Sequence, residues 1–324
     1  MNSRERVLTT LGLREPDRVP YDLLACDSLR ESLGGALGVA DIDLCDHFGY
    51  DIRWVSMAQP GCPEGADPTE WTPAPTGEDV EDCRERIRKT HGQGKAASSG
   101  YHMGIFEQAK CWLGDGVTLV TPYDNPSAFR GMLERITEWK KIVNGAYIEA
   151  GVDIVLTGDD LGTQRSLVMS PEYYRVWYRP HHAELISHLH GLNSDVKVAF
   201  HCCGHVVPLI RDLIEIGVDV LQSVQAETMD LAYLKREFGR DIAFWGGVGA
   251  QSVLARSTPE QVIEGVRQTL EIMAPKGGYV AAPCHVLTEE VDWMSIPAFS
   301  EAIQRYGTYG PSTQPSAASK GNAR

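Results

Sequence analysis

The sequence predicts an α/β fold, a (β/α)8 TIM barrel with a helical extension at its N-terminus and loop insertions at the barrel mouth. Apolar, β-rich runs alternate with helical patterns through the second half of the chain, which is typical of βαβ units and a parallel sheet. A length of 324 residues, with 43% hydrophobic and 23% charged residues, suits one large barrel domain. No Gly-x-Gly-x-x-Gly turn opens a helix after a strand, which disfavours a doubly wound nucleotide-binding sheet.

The first half of the chain gives the less regular part of the pattern. We predict a helix over 3–12, strands over 18–24 and 52–56, an exposed excursion over 58–82, strands and loops capping the barrel mouth over 84–121, and a long helix over 127–149. The excursion is predicted because that stretch is rich in Pro, Gly, Glu and Asp. A single domain over 1–309 is followed by a tail, 310–324, that lacks apolar residues to bury and is predicted to be disordered.

The second half alternates clearly between strands and helices. Strands are predicted over 152–156, 196–200, 218–221, 242–245 and 279–282, and helices over 171–190, 206–216, 229–238 and 258–273. Ser170-Pro171 and Thr258-Pro259 each place an N-cap residue before a proline at the first helical position. Gly217 and Gly239 follow two of the helices, as glycines at C′ positions do. The histidines of the first helix are expected on its outer surface: His181, His182, His188 and His190.

Composition excludes some classes of partner and compartment. The chain has 30 basic and 44 acidic residues, and this net charge of −14 argues against nucleic acid or an anionic membrane as a partner. The N-terminus has no apolar signal region and no later run reaches the length of a membrane span, so a cytoplasmic location is expected. In a reducing compartment the eight cysteines point to metal binding or burial rather than to disulfides.

Two short segments at predicted strand ends look like a zinc site. His201-Cys202-Cys203-Gly204 follows one strand, and Cys284-His285 follows another about eighty residues later. Imidazole and thiolate ligands suit Zn²⁺, and residues two apart on an extended segment face the same way, so His201 and Cys203 can bind one ion. Cys202 then faces away and packs, while Cys284 supplies a third ligand. The alternative is that all three cysteines are buried apolar residues without a metal.

Further polar residues lie near the same strand ends. Asp159 and Asp160 are candidate catalytic residues that position substrate or orient the metal-bound histidine, or else they are turn and capping acids. Neighbouring acids on one turn cannot both point inward, and Asp160 is the favoured one. Gln164 is a candidate for hydrogen bonding to a polar substrate. His285 alternates away from Cys284, which favours contact with the substrate over coordination.

Motifs along nearly the whole chain carry a resemblance to a known family. They are Arg4-Glu5-Arg6-Val7, Pro16-Asp17-Arg18-Val19-Pro20, Gly158-Asp159-Asp160-Leu161-Gly162-Thr163-Gln164, Ser170-Pro171-Glu172-Tyr173, His201-Cys202-Cys203-Gly204, Phe244-Trp245-Gly246-Gly247-Val248 and Gly277-Gly278-Tyr279-Val280-Ala281-Ala282-Pro283-Cys284-His285. As a set they resemble the uroporphyrinogen decarboxylase superfamily, in particular its zinc-dependent, corrinoid-linked methyltransferase branch, which includes methylcobamide:coenzyme M methyltransferases.

The resemblance implies a (β/α)8 barrel, zinc bound by His201, Cys203 and Cys284, a methylated corrinoid carried by a separate protein, and a homodimer, since dimers are common in the family. A substrate thiol on the zinc would become a thiolate and take the methyl group from cobalt, without a separate base. Gln225 and Glu227 are candidates for a fourth ligand, although Glu227 also suits a solvated loop. The Arg-Gln-Ala-Gly-Arg motif of the decarboxylase proper does not follow Pro20, so decarboxylation of a porphyrinogen is not expected.

Three functional hypotheses remain at this point. The first is methyl transfer from a methylcorrinoid protein to a thiol such as coenzyme M. The second is the opposite half-reaction, in which a small methylated compound passes its methyl group to Co(I) corrinoid. The third makes the zinc structural and the barrel a binding module without turnover.

Overall fold

Seven parallel strands follow one another in chain order around one curved sheet in the computed structural model, which describes residues 1–58, 67 and 69–310. The strands are β1 Ile52–Val55, β2 Ala96–Ser99, β3 Ile154–Gly158, β4 Lys197–His201, β5 Val220–Val224, β6 Ala243–Val248 and β7 Tyr279–Pro283. Each pairs in parallel with the next, and helices connect them on the outside. The predicted α/β barrel class is confirmed, and the carboxyl ends of all seven strands lie at one rim.

The remaining gap in the barrel, between β7 and β1, is filled by an extended segment rather than by the predicted strand over 18–24. Tyr21 and Ala25 form isolated parallel bridges to the β7 side, at Ala281 and Leu287. On the other side the backbone N–H of Asp51 donates to the carbonyl of Tyr21 over 3.0 Å. These contacts are isolated bridges and not a continuous ladder, so the segment closes the barrel without becoming a regular strand.

Two hydrophobic clusters follow from the alternation of side chains along the strands. One fills the barrel interior, with pairs such as Ile154 and Leu156 on β3 and Val280 and Ala282 on β7. The other lies between the sheet and the surrounding helices. An inward residue at the carboxyl end of a strand therefore lies at the barrel mouth, and an outward one faces the helices.

The helices run through the described part of the chain as follows: α1 Ser3–Leu11, α2 Asp27–Leu37, α3 Leu44–His47, α4 Gly77–Gly92, α5 Ile105–Leu113, α6 Asp115–Asp124, α7 Pro126–Ala150, α8 Pro171–Trp177, α9 Arg179–Leu192, α10 Ile210–Glu215, α11 Leu231–Phe238, α12 Pro259–Met273 and α13 Ser295–Tyr306. Helix α1 is the predicted N-terminal extension, and its Val7 and Leu11 pack into the interior cluster. The stretch 84–121, predicted as strands and loops, instead contains most of α4, then β2, α5 and most of α6.

The predicted caps explain where several helices begin and end. Ser170 and Thr258 each accept a backbone N–H of the first turn, and a proline follows both. Gly217 has φ +95°, as a C′ glycine requires. Gly239 has φ −65°, so the prediction of a left-handed C′ residue is wrong there. A Cβ at that position would lie 2.5 Å from the carbonyl oxygen of Lys235, so lack of space is what favours glycine.

The helix predicted over 171–190 is two helices, α8 and α9, which meet at Tyr178. Pro180 lies in the first turn of α9, where its missing N–H costs no hydrogen bond. The expected surface position of the α9 histidines is wrong for two of them, since His181 and His182 are 9% and 2% exposed. The helical pattern places residues on a face but does not show which face meets the sheet.

Part of the excursion predicted over 58–82 and almost all of the tail predicted over 310–324 lie outside the described residues. Within the described part, α4 already begins at Gly77. No helix in the described ranges combines the length and the apolar character needed to cross a membrane.

Candidate functional site

His201, Cys203 and Asp160 meet at the barrel mouth because β3 and β4 are neighbours. Gly158 pairs with His201, so the residues two positions beyond each strand end come together. The Nε2 atom of His201 lies 3.5 Å from Cys203 Sγ and 3.5 Å from Asp160 Oδ1. One ligand atom from each of the three residues lies within 4.8 Å of the others. The predicted pairing of His201 with Cys203 is thus present, with Asp160 as its neighbour.

Hydrogen bonds and packing orient this cluster. Nδ1 of His201 lies 2.5 Å from Oε1 of Gln222, and since that oxygen can only accept, the proton is on Nδ1 and the Nε2 lone pair faces Cys203 and Asp160. The carboxylate of Asp160 accepts the backbone N–H of Cys203 over 2.9 Å. The ring of Tyr101 packs against the imidazole with centroids 4.5 Å apart. These contacts hold three possible ligands in place without a metal.

Glycine allows the loops after β3 and β4 to approach each other. Gly204 has φ +79°, and a Cβ there would lie 2.5 Å from the carbonyl carbon of Gly162. Its N–H donates to the Oε1 atom of Gln225 over 2.9 Å. Gln225 therefore supports the turn that carries Cys203.

Asp159 faces the helices instead of the mouth. Its carboxylate accepts the backbone N–H groups of Phe106 and Glu107, both over 2.9 Å, at the start of α5. It also lies 2.7 Å from Nε2 of His182, and Asp159 itself is fully buried. The residue acts as a cap of α5 and a link to α9, one of the two alternatives considered for these acids, while Asp160 takes the inward position.

Cys284 lies directly after β7 and is 2% exposed. Its sulfur is 3.2 Å from the backbone nitrogen of Ala250 and 3.5 Å from Oε2 of Glu227. Glu227 in turn accepts hydrogen bonds from Ser252, so it joins Cys284 to the loop after β6. Cys284 and Cys203 line the same cavity, but the group of ligand atoms within 4.8 Å comprises His201, Cys203 and Asp160.

Burial sets the protonation of the cluster. Burial, with the nearby Asp160 carboxylate, raises the pKa of the Cys203 thiol to about 12. Burial and Glu227 likewise raise the pKa of Cys284 to about 12, and burial lowers the pKa of His201. Neutral thiols and a neutral imidazole beside carboxylates leave the site without a positive charge of its own. A bound divalent cation would supply that charge and favour the thiolates.

The donor set fits zinc. Ligands of a tetrahedral zinc ion at typical Zn–N and Zn–S lengths stand roughly 3.5 Å apart. The two distances from His201 Nε2, to Cys203 and to Asp160, are both 3.5 Å. Imidazole nitrogen, sulfur and carboxylate oxygen are all established zinc ligands.

Two cavities meet at this cluster. An outer cavity of about 630 Å³ is lined by Cys203, Cys284 and Gln164 among others, and an inner cavity of about 260 Å³ by His201. Asp160 and His285 line both cavities. Gln164 and His285 are exposed, as residues that contact a substrate or partner can be.

The inner cavity contains residues that the sequence analysis did not single out. Gln222 was missed because it follows the apolar run 218–221 that marks this strand, whereas β5 includes it and continues to Val224. The signal that could have identified Gln222 is that it is a polar, inward-facing residue in a mostly apolar strand. Others include Asp22, Trp54, Tyr101 and Trp245. Trp54 and Trp245 follow the inward alternation of β1 and β6, so strand parity could have placed both at the mouth.

Comparison with solved structures gives matches over most of the chain. A methyltransferase from Methanosarcina mazei has a TM-score of 0.72 at 16% identity, covering 94% of this chain and 98% of that one. An intracellular xylanase from Thermoanaerobacterium saccharolyticum has a TM-score of 0.49 at 13% identity, with 94% and 98% covered. A β-L-arabinopyranosidase from Geobacillus stearothermophilus has a TM-score of 0.48 at 10% identity, with 92% and 78% covered. At such identities the likeness to the methyltransferase shows a shared fold.

Among curated proteins there was no significant sequence match. The sequence profile of uroporphyrinogen decarboxylase (URO-D), by contrast, matches residues 91–306. That span includes β2 to β7 and the three clustered residues His201, Cys203 and Asp160. With two thirds of its length matched, the chain belongs to the uroporphyrinogen decarboxylase (URO-D) family.

Proposed function

We propose that this protein is a zinc-dependent methyltransferase that moves a methyl group between a methylated corrinoid on a separate protein and a thiol or comparable acceptor. The observation that carries the proposal is the cluster of His201, Cys203 and Asp160, which lies where the inner and outer cavities meet. A small substrate in the inner cavity and a partner at the outer one would both reach this cluster. Family membership and the methyltransferase fold match agree with this assignment.

His201 and Cys203 would hold the metal, with Asp160 and Cys284 as candidates for further ligands. A zinc ion held there with an open position would lower the pKa of a substrate thiol and keep it as a thiolate at neutral pH. Gln222 fixes the imidazole so that Nε2 faces the ligand cluster. Asp160 fixes the backbone of Cys203 by accepting its N–H.

The opposite half-reaction uses the same residues. In the forward direction the thiol sulfur takes the methyl group, its proton is lost, and Co(I) corrinoid is released. In the reverse direction a small methylated compound gives its methyl group to Co(I). The two directions differ in the substrate that the inner cavity accepts.

Decarboxylation of a porphyrinogen is a poor fit to the barrel mouth. Such a substrate carries several carboxylates, which proteins bind with arginine and lysine. Among the described residues, those lining the two cavities include no Arg or Lys.

Elemental analysis combined with a cobalt assay tests the proposal. Zinc per chain would be measured in wild type, Cys203→Ser and Cys284→Ser, and methylcobalamin demethylation would be followed by its absorption with several thiols. We expect one zinc per chain in wild type and thiol-dependent demethylation. Cys203→Ser should lose both, because its sulfur lies beside His201 Nε2.

Cys202→Ala is the matched control. Cys202 is a fully buried neighbour of Cys203 that packs away from the cluster, so its substitution should leave zinc content and demethylation close to wild type. Loss of zinc in Cys284→Ser would make Cys284 a ligand, and its retention would leave Asp160 in that role. Wild-type protein without zinc, or with zinc but inactive in both half-reactions, would contradict the proposal.

A further inference from the structure

The inner cavity has aromatic walls. Trp54 and Trp245 pack against each other with ring centroids 5.3 Å apart and planes tilted by 43°. Tyr101 borders the same space. The faces of indole and phenol rings carry partial negative charge and attract cations, including quaternary ammonium groups. The walls are thus suited to an organic ligand with a positive charge, or to a neutral apolar one.

The charge of the residues that line the cavity distinguishes a cationic ligand from a neutral one. Asp22 lines the cavity and is 3% exposed, and its Oδ2 atom accepts the indole N–H of Trp54 over 2.8 Å. Asp160 also lines the cavity, but as a candidate zinc ligand its charge would be balanced by the metal. Among the described residues that line this cavity there is no Arg or Lys to balance Asp22. A buried carboxylate without a cationic partner is costly, and a positively charged ligand would relieve that cost.

We infer that the inner cavity binds the ammonium group of a small organic cation, with the indole of Trp54 and the carboxylate of Asp22 as its main partners. This inference names a substrate class for the proposed methyltransferase site, so its role in catalysis rests on the proposed function. It also disfavours an anionic substrate such as a sulfonate-bearing thiol, which would have to enter beside Asp22.

The ammonium group can belong to either methyl-transfer substrate. In a methyl donor, the N–CH₃ bond breaks, its electron pair stays on nitrogen as a neutral amine, and the methyl group binds Co(I) of a corrinoid to give methyl-Co(III). In a methyl acceptor, an aminothiol loses its S–H proton, forms the S–CH₃ bond and releases Co(I). The recognition of the ammonium group is the same in both cases.

Isothermal titration at pH 8, where the Asp22 carboxyl group is ionised, with choline and 3,3-dimethyl-1-butanol tests the inference directly. The two compounds have the same shape and differ only in a charged nitrogen or a neutral carbon. We expect choline to bind wild type at least about tenfold more tightly, because cation–π and charge interactions act only on choline. Equal affinities, or no binding of choline, would overturn the inference.

Three variants locate the binding. Asp22→Asn keeps an oxygen that can accept the Trp54 N–H and should weaken choline about tenfold while leaving 3,3-dimethyl-1-butanol within about twofold. Trp54→Leu should weaken choline at least about fivefold, whereas Trp54→Phe, which keeps an aromatic face, should lie closer to wild type. Circular dichroism would establish that each variant is folded. Unchanged choline affinity in folded Asp22→Asn would rule out this cavity as the site.

A charge series of thiols separates the two sources of the ammonium group. Cysteamine, 2-mercaptoethanol and 2-mercaptoethanesulfonate share a two-carbon chain and carry a positive, a neutral and a negative group. Preference for cysteamine in the methylcobalamin assay, lost in Asp22→Asn, would assign the cation to the acceptor. Methylation of Co(I) cobalamin by choline would assign it to the donor. Choline binding in a protein without zinc or turnover would refute only the proposed function, and thiol methylation by a protein that does not prefer choline over 3,3-dimethyl-1-butanol would refute only this inference.

Discussion

At the scale of single residues, strand alternation gives two neighbouring acids different roles. Asp160 continues the inward face of β3 and reaches His201, while Asp159 continues the outward face and reaches α5 and His182. The adjacent cysteines follow the same rule, with Cys203 at the cluster and Cys202 fully buried elsewhere. One position along the chain separates a stabilising residue from a candidate ligand.

Substitution of the two acids should therefore have opposite consequences. Asp159→Ala leaves two N–H groups of α5 and a buried imidazole without their acceptor, and should lower the free energy of unfolding by about 3 kcal/mol or more. Asp160→Ala, whose side chain is 40% exposed, should lower it by less than about 1 kcal/mol but weaken zinc binding. Urea unfolding and zinc titration of both variants measure this. A destabilised Asp160→Ala and an unaffected Asp159→Ala would contradict the assignment.

Asp22 should make stability depend on pH. Burial raises the pKa of its carboxyl group to about 7, so the native state keeps a proton that the unfolded chain loses near pH 4. The native state then binds more protons between about pH 4 and pH 7, and the contribution of Asp22 to stability falls as pH rises through that range. The side chain of Asn does not ionise in this range, so it makes no pH-dependent contribution to stability. We expect Asp22→Asn to gain stability relative to wild type from pH 4 to pH 7, by at most about 4 kcal/mol.

Urea unfolding of both proteins at several pH values between 4 and 8 measures this difference. The difference should level off above the pKa of Asp22, where the native carboxyl is ionised. A difference that stays constant with pH would show that Asp22 ionises normally in the folded protein.

At the scale of elements, the barrel closes through a segment held by a buried carboxylate. Asp51, immediately before β1, is fully buried and accepts hydrogen bonds from Arg6 of α1, from Arg18 and from the backbone N–H of Tyr21. One side chain thus joins the N-terminal helix, the closing segment and the start of the sheet. The segment depends on this network because it lacks a full ladder of backbone hydrogen bonds.

Removing the carboxylate should loosen the closure. Asp51→Ala leaves two guanidinium groups without their shared acceptor and should cost about 3 kcal/mol or more in the free energy of unfolding. Asp17→Ala is the control, because Asp17 also binds Arg6 but its side chain is 44% exposed, and about 1 kcal/mol or less is expected. Chemical unfolding measures both. Equal losses in the two variants would mean that Asp51 does not hold the closure.

The elements that sequence could predict are those whose signals are local. Caps such as Ser170 and Thr258 and the inward alternation of the strands depend on nearby residues, and they were found. The closing segment and the buried face of α9 with His182 depend on partners far along the chain, so periodicity could not place them. The pairing of His201 with Cys203 was predictable from their spacing, whereas the approach of Asp160 required the register of β3 with β4.

At the scale of the whole molecule, the two ends of the barrel differ in the residues they contain. Helix α1 packs Val7 and Leu11 into the interior cluster, and that cluster is continuous with the inward residues of the strands. The mouth instead collects polar and ligand-type residues on loops that follow β3, β4 and β7. In barrel enzymes the mouth carries chemistry while the rest supplies stability.

This separation predicts how the protein responds to metal removal. The hydrophobic clusters do not depend on a metal, and hydrogen bonds from His201 Nδ1–H to Gln222 and from the Cys203 N–H to Asp160 already orient His201 and Cys203. Chelation should therefore abolish the proposed methyl transfer while leaving the circular dichroism spectrum and a cooperative thermal transition in place. The midpoint temperature of this transition should fall only by the amount that zinc binding to the native state had raised it. The fall should therefore grow with the zinc concentration of the reference sample. Collapse of secondary structure on chelation, as in small domains that fold only around zinc, would instead make the metal structural and leave the barrel a binding module.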